Sequence, residues 1–159
     1  MTVWTVGHST RSAGDFIELL QAHRIEAVAD VRRFPTSRRH PHFSRDNLEP
    51  ALAGYGIDYV WLPALGGRRS PRPDSGNTGW RVAAFRGYAD YMETREFAEA
   101  LAQLVDVGHA KRTAIMCAEA LWWQCHRRLI ADALLALGHD VLHIQSRDAA
   151  TPHKLIPPA

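Results

Sequence analysis

Short apolar runs alternate with longer amphipathic segments along the chain. The runs are typical of strands and predict them at residues 3–6, 27–31, 58–62, 113–117 and 141–144. Between the runs, apolar residues recur with helical spacing. This spacing predicts helices at 12–23, 45–54, 85–107, which can break near Thr94, and from Trp122 or Trp123 to Leu137. Ser12 and Ser44 are the predicted N-caps of the first two helices.

The order of these elements, β-α-β-α-β-α-β-α-β, is typical of an α/β domain. Such chains form a largely parallel sheet with right-handed crossovers. We therefore predict a single α/β domain over residues 1–147, with a mostly parallel sheet of about five strands flanked by helices in a Rossmann-like three-layer arrangement. Residues 148–159 are predicted to form a loose tail, and the Pro- and Gly-containing stretch 63–81 a long functional or mobile loop.

The composition excludes several classes of protein. Apolar residues make up 46% of the 159, which excludes the disordered class and suits one domain with its own core. No apolar run reaches the ~18–20 residues of a membrane span, and the first residues lack the segments of a signal peptide. We predict a cytoplasmic protein with no membrane partner, whose two cysteines, Cys117 and Cys125, are reduced thiols.

Polar and reactive residues follow four of the five predicted strands. They occupy residues 7–11, 32–35, 63–69 and 117–119. In parallel sheets, ligands bind beyond the carboxyl ends of the strands, where these segments meet. The sequence therefore predicts a ligand cleft at this edge of the sheet.

Arginine dominates the positive charge of the chain. Of the 19 basic residues 17 are Arg, and residues 32–86 hold ten Arg and four acids, a local net charge of +6. A GC-rich genome also enriches Arg, but it explains the clustering less well. The guanidinium fork suits phosphate and carboxylate, so Arg32, Arg33 and Arg38 are predicted to form an anion clamp. Asp30 lies two residues before Arg32 on the same side of the strand and can orient it by a buried ion pair.

The strongest chemical signal is Cys117-Ala-Glu119 followed by Cys125-His126-Arg127. Cys125 is predicted in the first turn of the last helix, where the helix N-terminus and a nearby Arg or protonated His lower a thiol pKa. Glu119 can orient His126 or accept a proton, and Arg127 can hold an anion. Cys117, Glu119, Cys125 and His126 are thus the catalytic candidates, although buried inert cysteines are a common alternative.

The pattern fits three other chemistries to different degrees. A cysteine phosphatase needs Arg six residues after its Cys, and that position after Cys117 holds Trp123. Sulfur transfer does not need that Arg and stays open. Zinc is disfavoured because the usual paired ligand spacings are absent, although His8 could join the two cysteines and His126. The residues point to no particular cofactor or metal.

The other candidates offer substrate contacts. His8 and Ser9 lie in a tight turn, the Gly66-Gly67 pair offers backbone amides, and Tyr88 can stack on a ring, although aromatic residues at helical spacing also suit a core. The predicted substrate-binding residues are Gly7, His8, Ser9, Arg32, Arg33, Arg38, Gly66, Gly67, Arg68, Tyr88 and Arg127.

Five segments in this order resemble the family called domain of unknown function 488. They are 7–10, 30–38, 65–67, 85–92, and 116–119 with 125–127. The resemblance covers nearly the whole chain and implies a fold and an order of motifs, with no established activity. Members typically carry a polar, Pro-containing link between the two cysteine segments. Here that link is Ala-Leu-Trp-Trp-Gln at 120–124, so the resemblance does not extend to the local loop shape and the substrate preference.

Together these patterns favour an enzyme that acts on a phosphorylated small molecule, a nucleotide or a nucleic-acid component. The alternatives are a nucleic-acid-binding module without chemistry, and a cysteine-based sulfur-transfer or redox protein. The partner is then an anionic small molecule or a nucleic-acid component, and no oligomeric state is indicated. We further expect Glu119 to be paired with an arginine and one pocket to be surrounded by His8, Arg32, Arg68, Cys117, Glu119 and Arg127.

Overall fold

A computed structural model describes residues 1–155 of the chain. Its strands are β1 (Thr2–Gly7), β2 (Ala27–Asp30), β3 (Asp58–Trp61), β4 (Thr113–Cys117), β5 (Asp140–Ile144) and β6 (Ala150–Pro152). Its α-helices are α1 (Ala13–Ala22), α2 (Arg45–Ala53), α3 (Ala83–Tyr91), α4 (Arg95–Ala110) and α5 (Arg127–Ala136). Short 3-10 turns lie at Pro41–Phe43, Pro63–Leu65 and Trp122–Gln124.

The strands form one sheet in the order β3-β2-β4-β1-β5-β6. The first five are parallel, and only β6 runs antiparallel to its neighbour β5. The predicted mostly parallel α/β sheet is therefore confirmed. The register sets Gly7 beside Cys117 and Asp30 beside Met116, so the carboxyl ends of β1, β4 and β2 are neighbours.

Alternate residues of the strands pack against two layers of helices. On one face, Trp4 and Val6 of β1 join apolar side chains of α1 and α2. On the other, Val3 of β1 and Ile115 of β4 join those of α3, α4 and α5. Each fully buried aliphatic or aromatic side chain contributes roughly 1.5–3 kcal/mol to folding. The two clusters confirm the three-layer arrangement.

Two hydroxyl side chains set helix starts. Ser12 accepts a hydrogen bond from the Asp15 amide at the start of α1, as predicted. Thr94 accepts one from the Phe97 amide and begins α4, so residues 83–110 form two helices with the break at the predicted place. Such caps satisfy amides that have no partner within the helix.

The C-terminal segment differs from its prediction. Residues 148–159 were expected to be loose, but Ala150–Pro152 pairs with β5 and His153 is buried. Pro152 is compatible with this position because β6 is an edge strand, where a missing amide costs little. Residues 156–159, the rest of the predicted tail, lie outside the described part. None of the helices between residues 1 and 155 is long and apolar enough to cross a membrane.

Candidate functional site

A cavity of about 730 Å³ opens at the carboxyl ends of β1, β2 and β4. Its walls are the loops that follow these strands, the segment after the Pro63–Leu65 turn, and α3. The sequence-predicted residues that line it are His8, Ser9, Arg32, Arg33, Arg38, Gly67, Arg68, Tyr88, Cys117, Glu119, Cys125 and His126. Chain segments more than 100 residues apart in sequence thus meet at one edge of the sheet, as parallel strands require.

The two thiols face each other on one wall of this cavity, the thiol wall, which also carries His126. Cys117 Sγ and Cys125 Sγ are 2.8 Å apart, and both cysteines are free and buried. Cys117 ends β4. Cys125 lies between the Trp122–Gln124 turn and α5, so its predicted position in the first turn of a helix is wrong. The turn uses the residues that were expected to begin the helix.

His126 is oriented for proton exchange with Cys125. Its Nε2 lies 2.8 Å from the Val31 carbonyl oxygen, which can only accept, so Nε2 carries the proton. In the neutral ring Nδ1 then holds a lone pair, 3.4 Å from Cys125 Sγ. Gly67 allows this approach because a Cβ there would lie 3.0 Å from Nδ1.

The two thiols differ in acidity. Burial raises the pKa of Cys125, but the hydrogen bond from Cys117 and the charges of His126 and Arg127 outweigh burial and bring this pKa well below its usual range. Burial and the neighbouring Cys125 raise the pKa of Cys117. Cys125 is therefore the more acidic of the two thiols, and Cys117 can donate the hydrogen bond between them.

Asp30 fixes Arg32 at the end of β2. The fully buried Asp30 carboxylate accepts bonds from the Arg32 amide at 3.0 Å, Nε at 2.9 Å and Nη2 at 2.8 Å. Tyr59 donates its hydroxyl to the same carboxylate. The predicted orienting ion pair is thus present, and it balances the charge of Arg32.

His8 is held as a neutral acceptor beside Arg32. Arg32 Nη1 lies 3.4 Å from His8 Nε2, and a guanidinium can only donate. The proton of the ring is then on Nδ1, which donates to the Ser9 carbonyl at 3.0 Å. Burial lowers the pKa of His8 to about 4, and the nearby Arg32 charge adds to this effect. His8 also stacks on Phe43, with ring centroids 4.4 Å apart.

A second wall of the cavity, the arginine wall, is exposed and basic. Its four exposed guanidinium groups are those of Arg33, Arg38, Arg39 and Arg68. None of them makes an ion pair with an acid within residues 1–155. Phe34 is 57% exposed and lies 5.5 Å and 5.9 Å from the Arg33 and Arg68 guanidinium carbons. Sequence reasoning did not identify Phe34 or Arg39 as part of the site, although both lie next to candidate residues.

Two cavity residues have a left-handed backbone. Ser9 has φ 50° and Arg68 has φ 62°. Residues other than glycine rarely adopt this region, and where they do they concentrate at functional sites. The sequence held no signal for either.

Three predicted substrate-binding residues support the cavity from behind without lining it. Arg127 is only 1% exposed, and its Nη2 donates to the Glu119 and Ala120 carbonyls at 2.7 Å and 3.3 Å. Gly7 lets this loop pack on β1, since a Cβ there would lie 1.9 Å from the Glu119 oxygen. Gly66 lies against the backbone of Arg33, where a Cβ would be 2.6 Å from Cα. All three shape the backbone around the cavity.

The prediction that an arginine holds the Glu119 side chain is wrong. This carboxylate is exposed and accepts a bond from the Leu121 amide at 3.3 Å. Because water solvates it, it needs no buried counter-charge. Arg127 instead contacts the backbone of the same residue.

α3 ties the long 63–81 loop to the site. The Tyr88 hydroxyl donates to the Leu65 carbonyl at 2.8 Å, and its ring lies 5.3 Å from that of His126. Asp90 accepts bonds from Ser75, Asn77 and the Arg72 amide, and the bonds from Ser75 and Asn77 lower the pKa of Asp90 to about 2. Sequence reasoning missed Asp90 because its partners precede it by 13 to 18 residues in an irregular stretch.

A buried chain of hydrogen bonds reaches the cysteine loop from β6. Asp132 accepts from His153 Nε2 at 2.7 Å, so His153 Nδ1 accepts from His143 Nε2 at 2.8 Å. His143 Nδ1 then accepts the Thr5 hydroxyl proton at 2.6 Å, and Thr5 accepts from Arg127 Nη1 at 3.1 Å. Along this series of hydrogen bonds, each donor points away from Arg127 and towards Asp132. This common direction fixes the tautomers of His143 and His153.

The chain matches the family model described as domain of unknown function DUF488 over residues 12–134, more than three quarters of its length. The chain belongs to the DUF488 family. The matched range contains both cysteine segments and the arginine wall, and begins just after Gly7-His8-Ser9-Thr10. Comparisons of this DUF488 protein with curated proteins and with solved structures give no match.

Proposed function

We propose that this DUF488 protein is a thiol-dependent enzyme that acts on a phosphorylated or nucleotide substrate, with Cys125 as its nucleophile. The observation that carries the proposal is the position of Cys125 Sγ, 2.8 Å from Cys117 Sγ and 3.4 Å from His126 Nδ1, in an arginine-walled cavity. An activated nucleophile needs a proton acceptor and a group that orients the acceptor. His126 and the Val31 carbonyl fit these two roles.

The chemistry follows from these contacts. His126 Nδ1 takes the proton of Cys125, and the Cys117 S–H stabilises the resulting thiolate. The thiolate forms a bond to an electrophilic carbon or phosphorus atom of the substrate, and the bond from that atom to the leaving group breaks. The proton on His126 passes to the leaving group, and water then cleaves the thio-linked intermediate and restores the thiol.

The arginines supply binding. Arg33, Arg38 and Arg68 are exposed at the cavity and have no acidic partner within residues 1–155, so they meet the anionic part of the substrate. Arg32 is balanced by Asp30 and serves to position His8. Reduced thiols of this kind suit the cytoplasm, the location predicted from the sequence.

The pH dependence of alkylation tests the proposed nucleophile. Iodoacetamide should modify Cys125 near neutral pH while Cys117 stays protected, as read by mass spectrometry of peptides. Cys117→Ser keeps a hydrogen-bond donor and is the matched control, whereas Cys125→Ser should abolish the fast reaction. Inorganic pyrophosphate should slow it by occupying the arginine wall. Reaction of Cys125 only at the pH of an ordinary thiol, about 8.5, would contradict the proposal.

The spacing of the two thiols favours a second candidate function, that of a sulfur-transfer or redox protein. At 2.8 Å between sulfurs, only a small movement separates the pair from a disulfide. Hydrogen peroxide would oxidise Cys125 to a sulfenic acid, and Cys117 would then displace water to form the bond. Intact-mass analysis should show the loss of two hydrogen atoms from the monomer. Two thiols that stay alkylatable after peroxide treatment exclude the redox form of this function.

A further inference from the structure

We infer that the cavity receives one unpaired nucleotide of a single-stranded nucleic acid, whose neighbouring phosphates lie on the exposed arginine wall. The inference rests on the proposed function in that it names the substrate class for the same site. It is carried by the combination of exposed guanidinium groups that form no ion pair with an acid in the described part of the chain, an exposed aromatic ring and a cavity of limited size.

The arginines are distributed for a chain of phosphates. A single small anion is usually enclosed by buried donors, but the one buried arginine of this cavity, Arg32, is already paired with Asp30. Arg33, Arg38, Arg39 and Arg68 are all exposed. They belong to two separate segments, after β2 and after the Pro63–Leu65 turn, and all four line the cavity. A basic surface of this kind follows a nucleic-acid backbone.

Phe34 supplies a stacking surface among these charges. More than half of its surface is exposed, and the guanidinium groups of Arg33 and Arg68 lie within 6 Å of the ring centroid. An exposed ring between cations has no role in the core. Any of the bases can stack on such a ring, because every base has a π-face. The ring therefore fits the base next to the nucleotide in the cavity.

The cavity size selects the unpaired form. About 730 Å³ is in the range of pockets that enclose one small molecule, and a nucleotide fits this range. In a duplex the bases are stacked inside the helix and cannot reach Cys125 in the cavity unless they leave the stack. A single strand can present its base without that cost.

Fluorescence anisotropy tests the inference with labelled oligo(dT) and oligo(U) of about 12 nucleotides at low and moderate salt. The Cys125→Ser variant is used alongside wild type, so binding is measured apart from chemistry. Phe34→Ala should weaken binding by at least about fivefold, the effect of losing one stacked base. Arg68→Ala should lower the slope of log Kd against log salt by about 0.7. Tyr55→Ala, an exposed ring at the opposite edge, and Lys111→Ala, which removes one charge there, are the matched controls and should bind like wild type.

Each outcome has a distinct meaning. Oligonucleotide binding that depends on Phe34 and Arg68 supports the inference even if Cys125 proves unreactive, in which case the proposed chemistry alone fails. Reactive Cys125 without oligonucleotide binding at low salt overturns the inference and leaves the proposed function standing. Equal binding of a free mononucleotide, or of a duplex of the same length, also overturns it.

Discussion

The two walls of the cavity are built in opposite ways. The thiol wall carries Cys117 and Cys125, which are buried, and His126, which is half-buried, and it is held by bonds to the backbone at Val31 and through Arg127. The arginine wall is exposed, and its guanidinium groups make few contacts with the rest of the protein. Hydrogen bonds therefore hold the thiol wall in place, whereas the side chains of the arginine wall can change conformation.

This difference indicates a division of work. The proposed proton transfer between Cys125 and His126 requires that their distance is maintained, and hydrogen bonds to backbone carbonyls hold the thiol wall in place. Long cationic side chains can bind anions of variable shape, because little geometry is needed for electrostatic attraction. Substitutions in the two walls should therefore differ in what they change, stability on one side and ligand affinity on the other.

The largest effect is expected for Arg127→Met. This change preserves volume but leaves the Glu119 and Ala120 carbonyls without their donor and frees the loop that covers β1. We expect the free energy of unfolding to fall by about 3 kcal/mol, because buried polar groups lose their partners. Urea unfolding followed by circular dichroism measures this change.

Arg38→Ala is the matched control from the exposed wall. It removes the same charge from the surface and should change the unfolding free energy by less than about 0.5 kcal/mol. If the two variants unfold at the same urea concentration, the thiol wall is not held by Arg127 and the contrast between the walls is wrong.

The position of the first cysteine segment could be predicted, because strand ends follow from local apolar patterns. The Thr113–Cys117 strand has the predicted bounds, and parallel pairing brings its end to Gly7. The role of Arg127 could not be predicted. Its partner Thr5 is 122 residues away, and a sequence does not show whether an arginine points to the ligand or to a backbone carbonyl.

A second, smaller effect concerns acid. Burial keeps His8 neutral with a pKa of about 4 and His143 with a pKa of about 3, whereas an unfolded histidine titrates near 6.5. Between about pH 4 and 6.5 the unfolded chain therefore binds more protons, and stability must fall as the pH falls through this window. Asp90, with a pKa of about 2, contributes only at lower pH.

His8→Gln should flatten this pH dependence, since Gln can accept from Arg32 without titrating. We expect wild type to lose about 2 kcal/mol more than the variant between pH 6.5 and 4, measured by urea unfolding at each pH. His109→Gln, an exposed site at the far edge of the sheet, should keep the wild-type slope. An unchanged slope in His8→Gln would mean that His8 is solvated in the folded protein.

The parts of the site that sequence reasoning missed are those that depend on exposure. Phe34 reads as any apolar residue in a loop, and only its 57% exposure between two guanidinium groups marks it as a contact surface. Glu119 follows the cysteine segment and was expected to be a buried partner of an arginine, yet it is solvated.

The strand β6 was missed for a different reason. Its three residues include Pro152 and carry no strand pattern, and it is followed by the buried His153, whose contacts are distant in sequence.

The smallest effect tests the connection between α3 and the thiol wall. Tyr88→Phe removes only the hydroxyl that donates to the Leu65 carbonyl at 2.8 Å and leaves the ring beside His126 in place. One such bond contributes about 1 kcal/mol, so stability should fall by that amount. Leu65 precedes the Gly66-Gly67 pair that packs against Arg33 and His126, so its release should also loosen the His126 ring. Alkylation of Cys125 at neutral pH should then slow, although Tyr88 donates its hydrogen bond to Leu65 and not to the sulfur of Cys125.

Tyr91→Phe is the matched control. It removes a comparable bond to the Ala64 carbonyl, so it should lower stability by a similar amount, but the Tyr91 hydroxyl does not support the His126 ring. Equal alkylation rates in both variants would show that α3 supports the fold alone and does not hold the His126 ring.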